Sequence, residues 1–256
     1  MTLGLSPAMA GAFVGGGLLL ALVGGVTLGL LLRRFAPLRV WWLQLPLVGG
    51  LGFGLGNGLG VVGALLLGAP LRFDPELLLT GPWLVGGTMG TGCGTLSALV
   101  AARLGGSLQL GRWPGWKWTL AGLPAALGVM LAAASWALLL SALGHEPEAQ
   151  GLATALATQQ GWVRGVVLAF VMGVAPLTEE AFFRGWLQPV LRERFGARRA
   201  ILGQALIFGG IHTDQLWAIP PLVLIGLVCG WLRERSGSVL PGWVLHLLNN
   251  STAAAL

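Results

Sequence analysis

The sequence predicts an all-α fold, a polytopic membrane helix bundle of about eight transmembrane helices forming a single membrane domain over residues 1–256. Three observations lead there. Hydrophobic residues make up 55% of the 256 and charged residues 9%, against about 25% charge in soluble globular chains. The apolar residues gather into runs of about 20, the length that crosses a bilayer. Forty-three glycines and no tyrosine suit closely packed membrane helices, in which small residues let backbones approach.

The first run, near 8–32, has no basic flank of the signal-peptide kind and is long enough to span, so it is expected to stay as the first helix. The second, near 43–69, carries "GGLGFGLGNGLG". Gly50, Gly54 and Gly58 line one face of it and Gly52, Gly56 and Gly60 another, which is the pattern of a helix-packing surface. The third and fourth fall near 83–102 and 120–143. The fifth, near 162–191, is long, and Pro176 is expected to kink it. The sixth, near 200–216, and the seventh, near 219–232, are separated by "AIPP". The seventh is short for a span, so these two are expected to turn before the far surface, against protein or water. The eighth lies near 239–255. Cys93 and Cys229 sit singly in apolar runs and form neither a disulfide framework nor a zinc motif; both are read as packing residues.

A net charge of +6 and a pI near 11.2 would suggest nucleic acid in a soluble chain. Here topology accounts for the charge, and no nucleic-acid partner is expected. Arg33, Arg34 and Arg39 follow the first run, and Arg103, Arg112 and Lys117 the third. Arg192, Arg194, Arg198 and Arg199 follow the fifth, and Arg233 and Arg235 the seventh. Twelve of the fifteen basic residues therefore share one side, which the positive-inside rule makes cytoplasmic. The alternate loops hold Asp74, Glu76, Glu146, Glu148 and Asp214, with Arg72 and Arg164 nearby. Both termini are expected to face outward, and an inner or plasma membrane is the expected location. No repeat is visible, and nothing in the chain fixes an oligomeric state.

Few ionisable groups are left over: Glu179, Glu180, Arg184, His212 and His246. Glu179 stands 13 residues before Arg192, His212 13 after Arg199, and His246 11 after Arg235. In continuous helices these counts put all three roughly 16–20 Å from the basic rim. Each has a plain alternative: the glutamates as an ion-paired loop, His212 as a helix-end residue, His246 and Asn250 as a helix contact. The shared depth favours a site, because ionisable groups inside a membrane are costly and mark function. Glu180 and Arg184, at i and i+4, share a helix face and can pair. Glu179 is rotated about 100° away and is left free to act as a general base. His246 and Asn250, again at i and i+4, present donors together, as an oxyanion requires; Asn249 is a substitute at i+3. Phe208, four residues before His212, is expected to pack beside it.

Glu-Glu-x-x-x-Arg (Glu179, Glu180, Arg184), Phe-x-x-x-His (Phe208, His212) and His-x-x-x-Asn (His246, Asn250), in this order, resemble the motifs of the CPBP family of intramembrane proteases. That family includes the type II CAAX prenyl endopeptidases and the bacterial Abi proteins. The resemblance covers residues 160–256 as a catalytic core; the preceding chain contributes a compatible helix count. It implies an endopeptidase with an intramembrane active-site cavity open to the cytoplasm, acting on a membrane-associated peptide or protein within the lipid bilayer. Glu179, aided by His212, would activate water, and His246 and Asn250 would hold the oxyanion. Glu180, Arg184 and Phe208 would support the site.

No cofactor is expected. A zinc centre on Glu179, His212 and His246 is the alternative, but the sequence has no His-Glu-x-x-His helix, and such a centre would lack a separate base. Two further readings differ in class. One is a non-catalytic immunity or scaffold protein. The other is a transporter with a proton relay, which the absence of a visible repeat disfavours.

Overall fold

In the computed structural model the described residues are 7–35, 41–66, 68–69, 81–145, 161–212 and 216–255. Arg39, Arg72, Asp74, Glu76, Glu146, Glu148 and Asp214, on which part of the charge pattern rests, lie outside them. All regular structure among the described residues is helical: α1 (Pro7–Phe35), α2 (Trp41–Leu66), α3 (Gly81–Leu104), α4 (Trp116–Ala142), α5 (Gly161–Ala169), α6 (Ala175–Phe182), α7 (Gln188–Phe195), α8 (Ala197–Gly210), α9 (Ile219–Ser236) and α10 (Leu240–Ala255). Gly16–Arg34, Trp116–Ala142 and Leu216–Ser236 are long and apolar enough to cross a membrane. The chain is thus a helical membrane protein with three spans of that kind among its described residues.

Contacts divide the chain into two compact units: Met1–Leu108 with Ala155–Phe170, and Gln109–Thr154 with Val171–Leu256. In the first, glycines set how close the helices come. Gly56 and Gly60 of α2 face Gly86 and Gly90 of α3, and a Cβ on Gly90 would fall against Gly56 O and 2.6 Å from Gly60 Cα. Gly50, Gly54 and Gly58 have nothing within 4 Å of a built Cβ, so of the two glycine faces only that of Gly56 and Gly60 packs on α3. Gly25 of α1 likewise lies against Ser97 O and Val100 of α3.

The second unit carries the motif residues. The expected fifth segment differs from a kinked helix: π turns at Phe170–Val174 and Phe183–Leu187 separate α5, α6 and α7. Each π turn is followed, one residue later, by a proline, Pro176 or Pro189, which brings no N–H to the backbone ladder. The Gly185 carbonyl, four residues before Pro189, instead accepts the Gln109 N–H at 2.6 Å. The Val171 carbonyl, five before Pro176 and so its partner in the π register, accepts Asn250 Nδ2 at 3.1 Å. Proline thus frees two carbonyls that fix neighbouring segments.

The sixth and seventh segments also shift. α8 stops at Gly210 rather than 216, and Gly209 lies against Val223 and Ile219 of α9. The seventh is longer than expected, running from the 3-10 turn Leu216–Ala218 through Arg233, Glu234 and Arg235 to Ser236. Counting apolar residues missed that charged last turn, which Gly237 caps in the left-handed conformation (φ 69°). At this end Arg192 Nε lies 3.4 Å from Glu234 Oε2, Arg233 Nη2 donates to Gln109 O at 2.8 Å, and Val239 N donates to Leu110 O at 3.1 Å. The ends of α7 and α9 and the approach to α4 are therefore tied into one rim. Away from it, Trp136 Nε1 donates to Trp217 O at 2.7 Å and His145 stacks on Trp217 with ring centroids 4.7 Å apart.

The glycine seam carries a prediction. A methyl on Gly90 overpacks the α2–α3 contact, at a cost of about 1–3 kcal/mol that exceeds the gain in helix propensity. Gly90→Ala should lower the thermal midpoint in detergent. Gly87→Ala, where nothing stands within 4 Å, should leave it unchanged or raise it. Equal midpoints for the two variants would contradict the close approach.

Candidate active site

Glu179 and Glu180 are adjacent on α6, yet their surroundings differ. Glu180 is fully buried, and its Oε1 lies 2.8 Å from Nη1 of Arg184, which is also fully buried. The separation gives strong Coulombic attraction, although the N–H is not aligned as a hydrogen bond. Arg184 is further held by Gly226 O, 3.4 Å from Nη2, and by the faces of Phe208 and Phe183, whose centroids lie 4.9 and 5.8 Å from the guanidinium carbon. Glu179, one residue earlier, keeps 30% of its side chain exposed. Helical phase produces the contrast.

His246 of α10 stands between the two carboxylates. Its Nδ1 is 3.3 Å from Glu180 Oε1 and its Nε2 is 3.6 Å from Glu179 Oε2. A carboxylate paired with Arg184 accepts, so Nδ1 carries the hydrogen. In the neutral ring Nε2 then carries the lone pair, on the side of Glu179. Among the described residues, His246 supplies the imidazole within ion-pair distance of Glu179. His212 Nδ1 donates to Phe208 O at 2.8 Å. A carbonyl only accepts, so a neutral His212 has its free lone pair on Nε2.

Phe208, fully buried, binds these parts together. Its ring makes edge contacts with Phe183, His212 and His246 at 5.1, 5.3 and 5.5 Å between centroids. Asn250 gives one amide hydrogen to Val171 O and keeps a second, while Asn249 Nδ2 lies 3.5 Å from Asn250 Oδ1.

Several contributors were not singled out by sequence. Gln188 Nε2 donates to Gly230 O and Glu234 Oε1, each at 3.0 Å, and Gln204 Nε2 donates to Gly226 O at 2.7 Å. Both glutamines are buried, and an amide in an apolar run is the signal that could have found them. Cys229 is a buried packing residue with its Sγ 3.6 Å from Gly242 O.

Among the described residues no three His, Cys, Asp or Glu side chains form a group that could hold a metal ion, and His246 meets Glu179 and Glu180 through opposite ring nitrogens.

Residues 159–252 match the family model described as "Type II CAAX prenyl endopeptidase Rce1-like". The matched segment is similar to Rce1-like domains, in support of the resemblance to the CPBP/CAAX protease family. It contains every motif residue above, and α1 to α4 precede it. The Rce1-like family implies peptidase activity. Neither the curated proteins nor the solved structures compared with the chain gave a match.

Within the matched segment the pair Glu180–Arg184 is fully buried, so bulk solvent does not compensate the loss of either partner. Removing one leaves a buried charge alone, at a cost of about 3–5 kcal/mol. Arg184→Ala should therefore lower the thermal midpoint markedly as well as abolish activity. A variant as stable as wild type would mean that solvent reaches the pair.

Proposed function

We propose that the protein is an intramembrane endopeptidase that hydrolyses a peptide bond with a water activated by Glu179. The observation that carries this reading is the contrast between two adjacent carboxylates. One is locked to a guanidinium in full burial, and the other is partly exposed and lies 3.6 Å from His246. Neighbouring titratable groups in unlike environments are how sites divide acid and base roles.

Glu179 takes a proton from water as the water oxygen bonds to the scissile carbonyl carbon. His212, with Nε2 free as an acceptor, assists at that water. The proton passes from Glu179 to Nε2 of His246, 3.6 Å away, which makes His246 a donor on both ring nitrogens. His246 and the second amide hydrogen of Asn250 then hold the oxyanion. When the C–N bond breaks, the leaving amine takes the proton, and Glu179 and His246 return to their starting state. Glu180, Arg184 and Phe208 hold the imidazole and the helix that bears both glutamates. No metal is needed in this sequence. The substrate is a membrane-associated peptide or protein, reached from the cytoplasmic side that the basic loops favour.

Purified protein in liposomes, offered tagged peptides with and without a prenylated Cys-a-a-X end, tests the reading. Glu179→Gln keeps the shape and removes the base, so cleavage should fall by about 10²–10⁴-fold while the protein remains folded. Cleavage at the wild-type rate would remove Glu179 from the base role. Activity should also survive prolonged strong chelation. Loss on chelation that zinc restores would overturn the metal-free step and leave the endopeptidase reading in place.

A further inference from the structure

The absence of a side chain at Gly242 is what lets Glu180 reach His246. Gly242 is the third residue of α10 and is buried. A Cβ built there falls 2.5 Å from Glu180 Oε2, 3.3 Å from the Glu180 carboxyl carbon and 3.3 Å from Cys229 Cβ. A methyl cannot share that space with the carboxylate. The carboxylate is also confined elsewhere: Oε1 faces Arg184 and His246, and Cys229 closes the side by Gly242. Its Oε2 accepts no hydrogen bond, and its charge lies against the first turn of α10, where the helix dipole favours an anion.

Gly242 has a helical role that any small residue could fill if packing were the only demand. Gly242 φ does not lie in the left-handed region, since it is outside the positive-φ glycines. Glycine at this place in α10 also costs about 1 kcal/mol of helix propensity relative to alanine in a helix interior. Space for the carboxylate accounts for it.

We propose that Gly242 is a positioning residue: it admits the Glu180 carboxylate to His246 Nδ1, and so turns Nε2 of His246 toward Glu179. The chain of effects runs from Gly242 to Glu180, to the His246 tautomer, to the base. This inference rests on the endopeptidase reading for its effect on catalysis, but the tautomer itself is a property of the resting protein.

The experiment uses Gly242→Ala in the full-length chain, with Gly128→Ala as control because nothing stands within 4 Å of a Cβ there. Three histidines in the chain make nitrogen NMR of labelled imidazoles assignable. In wild type and in Gly128→Ala, His246 Nδ1 should carry the hydrogen. In Gly242→Ala it should lose it in a large fraction of molecules, since free neutral imidazole favours the other tautomer. On the same samples, kcat should fall by about 10²-fold or more with KM unchanged, as expected when a catalytic imidazole has the wrong tautomer. Wild-type Nδ1 protonation and kcat in Gly242→Ala would overturn the proposal. Should Gly242→Ala not fold, the methyl is added to Glu180→Asp instead, because the shorter carboxylate clears it. The contact with Glu180 predicts equal thermal midpoints for Glu180→Asp and Gly242→Ala/Glu180→Asp, and a clearly lower midpoint in the double variant overturns it. If wild type cleaves no peptide, the endopeptidase reading fails while the tautomer result still decides this inference.

Discussion

Burying a carboxylate and a guanidinium together costs several kcal/mol per ion unless each finds the other and the remaining donors are used. Glu180 and Arg184 meet the first of these demands on successive turns of one helical segment. Gly226 O and two aromatic faces lie against the guanidinium, although its buried Nε has no hydrogen-bond partner among the described residues. Once the pair is in place, the neighbouring geometry follows. Oε1 of Glu180 is an anion of fixed position, so His246 orients Nδ1 toward it. That orientation leaves Nε2 to Glu179, whose helical phase keeps it out of reach of Arg184. A single ion pair thereby decides which glutamate is structural and which is available.

The backbone around the pair is arranged to let side chains use it. Pro176 and Pro189 each withhold an N–H, and the carbonyls left over accept Asn250 and Gln109. Gly226 and Gly230 of α9 bring that helix against Ala205 and Gln204 of α8, close enough for their carbonyls to accept Arg184, Gln188 and Gln204. In an apolar bundle these bonds have no competition from water, so each is a strong local restraint.

The apolar runs made the helical class legible, because membrane helices must satisfy their own backbones. Helix ends were less legible where charge is part of the helix, as at Arg233–Arg235 of α9. The i and i+4 spacing of Glu180 and Arg184 foretold their pairing, and the rotation of Glu179 foretold its separation from Arg184. The contact between His246 and the two glutamates was not readable, since it depends on how α6 and α10 approach. That approach depends in turn on Gly242, one glycine among forty-three, with no sequence feature to set it apart. The packing of Phe208 beside His212 was legible from their spacing, and His212 Nδ1 also bonds the Phe208 carbonyl.

The central claim is that Glu179 delivers an activated water directly to the scissile carbonyl. Its most direct measurement is cleavage of a membrane-associated peptide by the purified protein in heavy-oxygen water, followed by mass spectrometry of both fragments after a single turnover. The account expects one heavy oxygen in the new carboxylate of the fragment N-terminal to the cut, with no covalent peptide–enzyme species at any time. A trapped acyl-enzyme, or cleavage without heavy oxygen in that carboxylate, would contradict it.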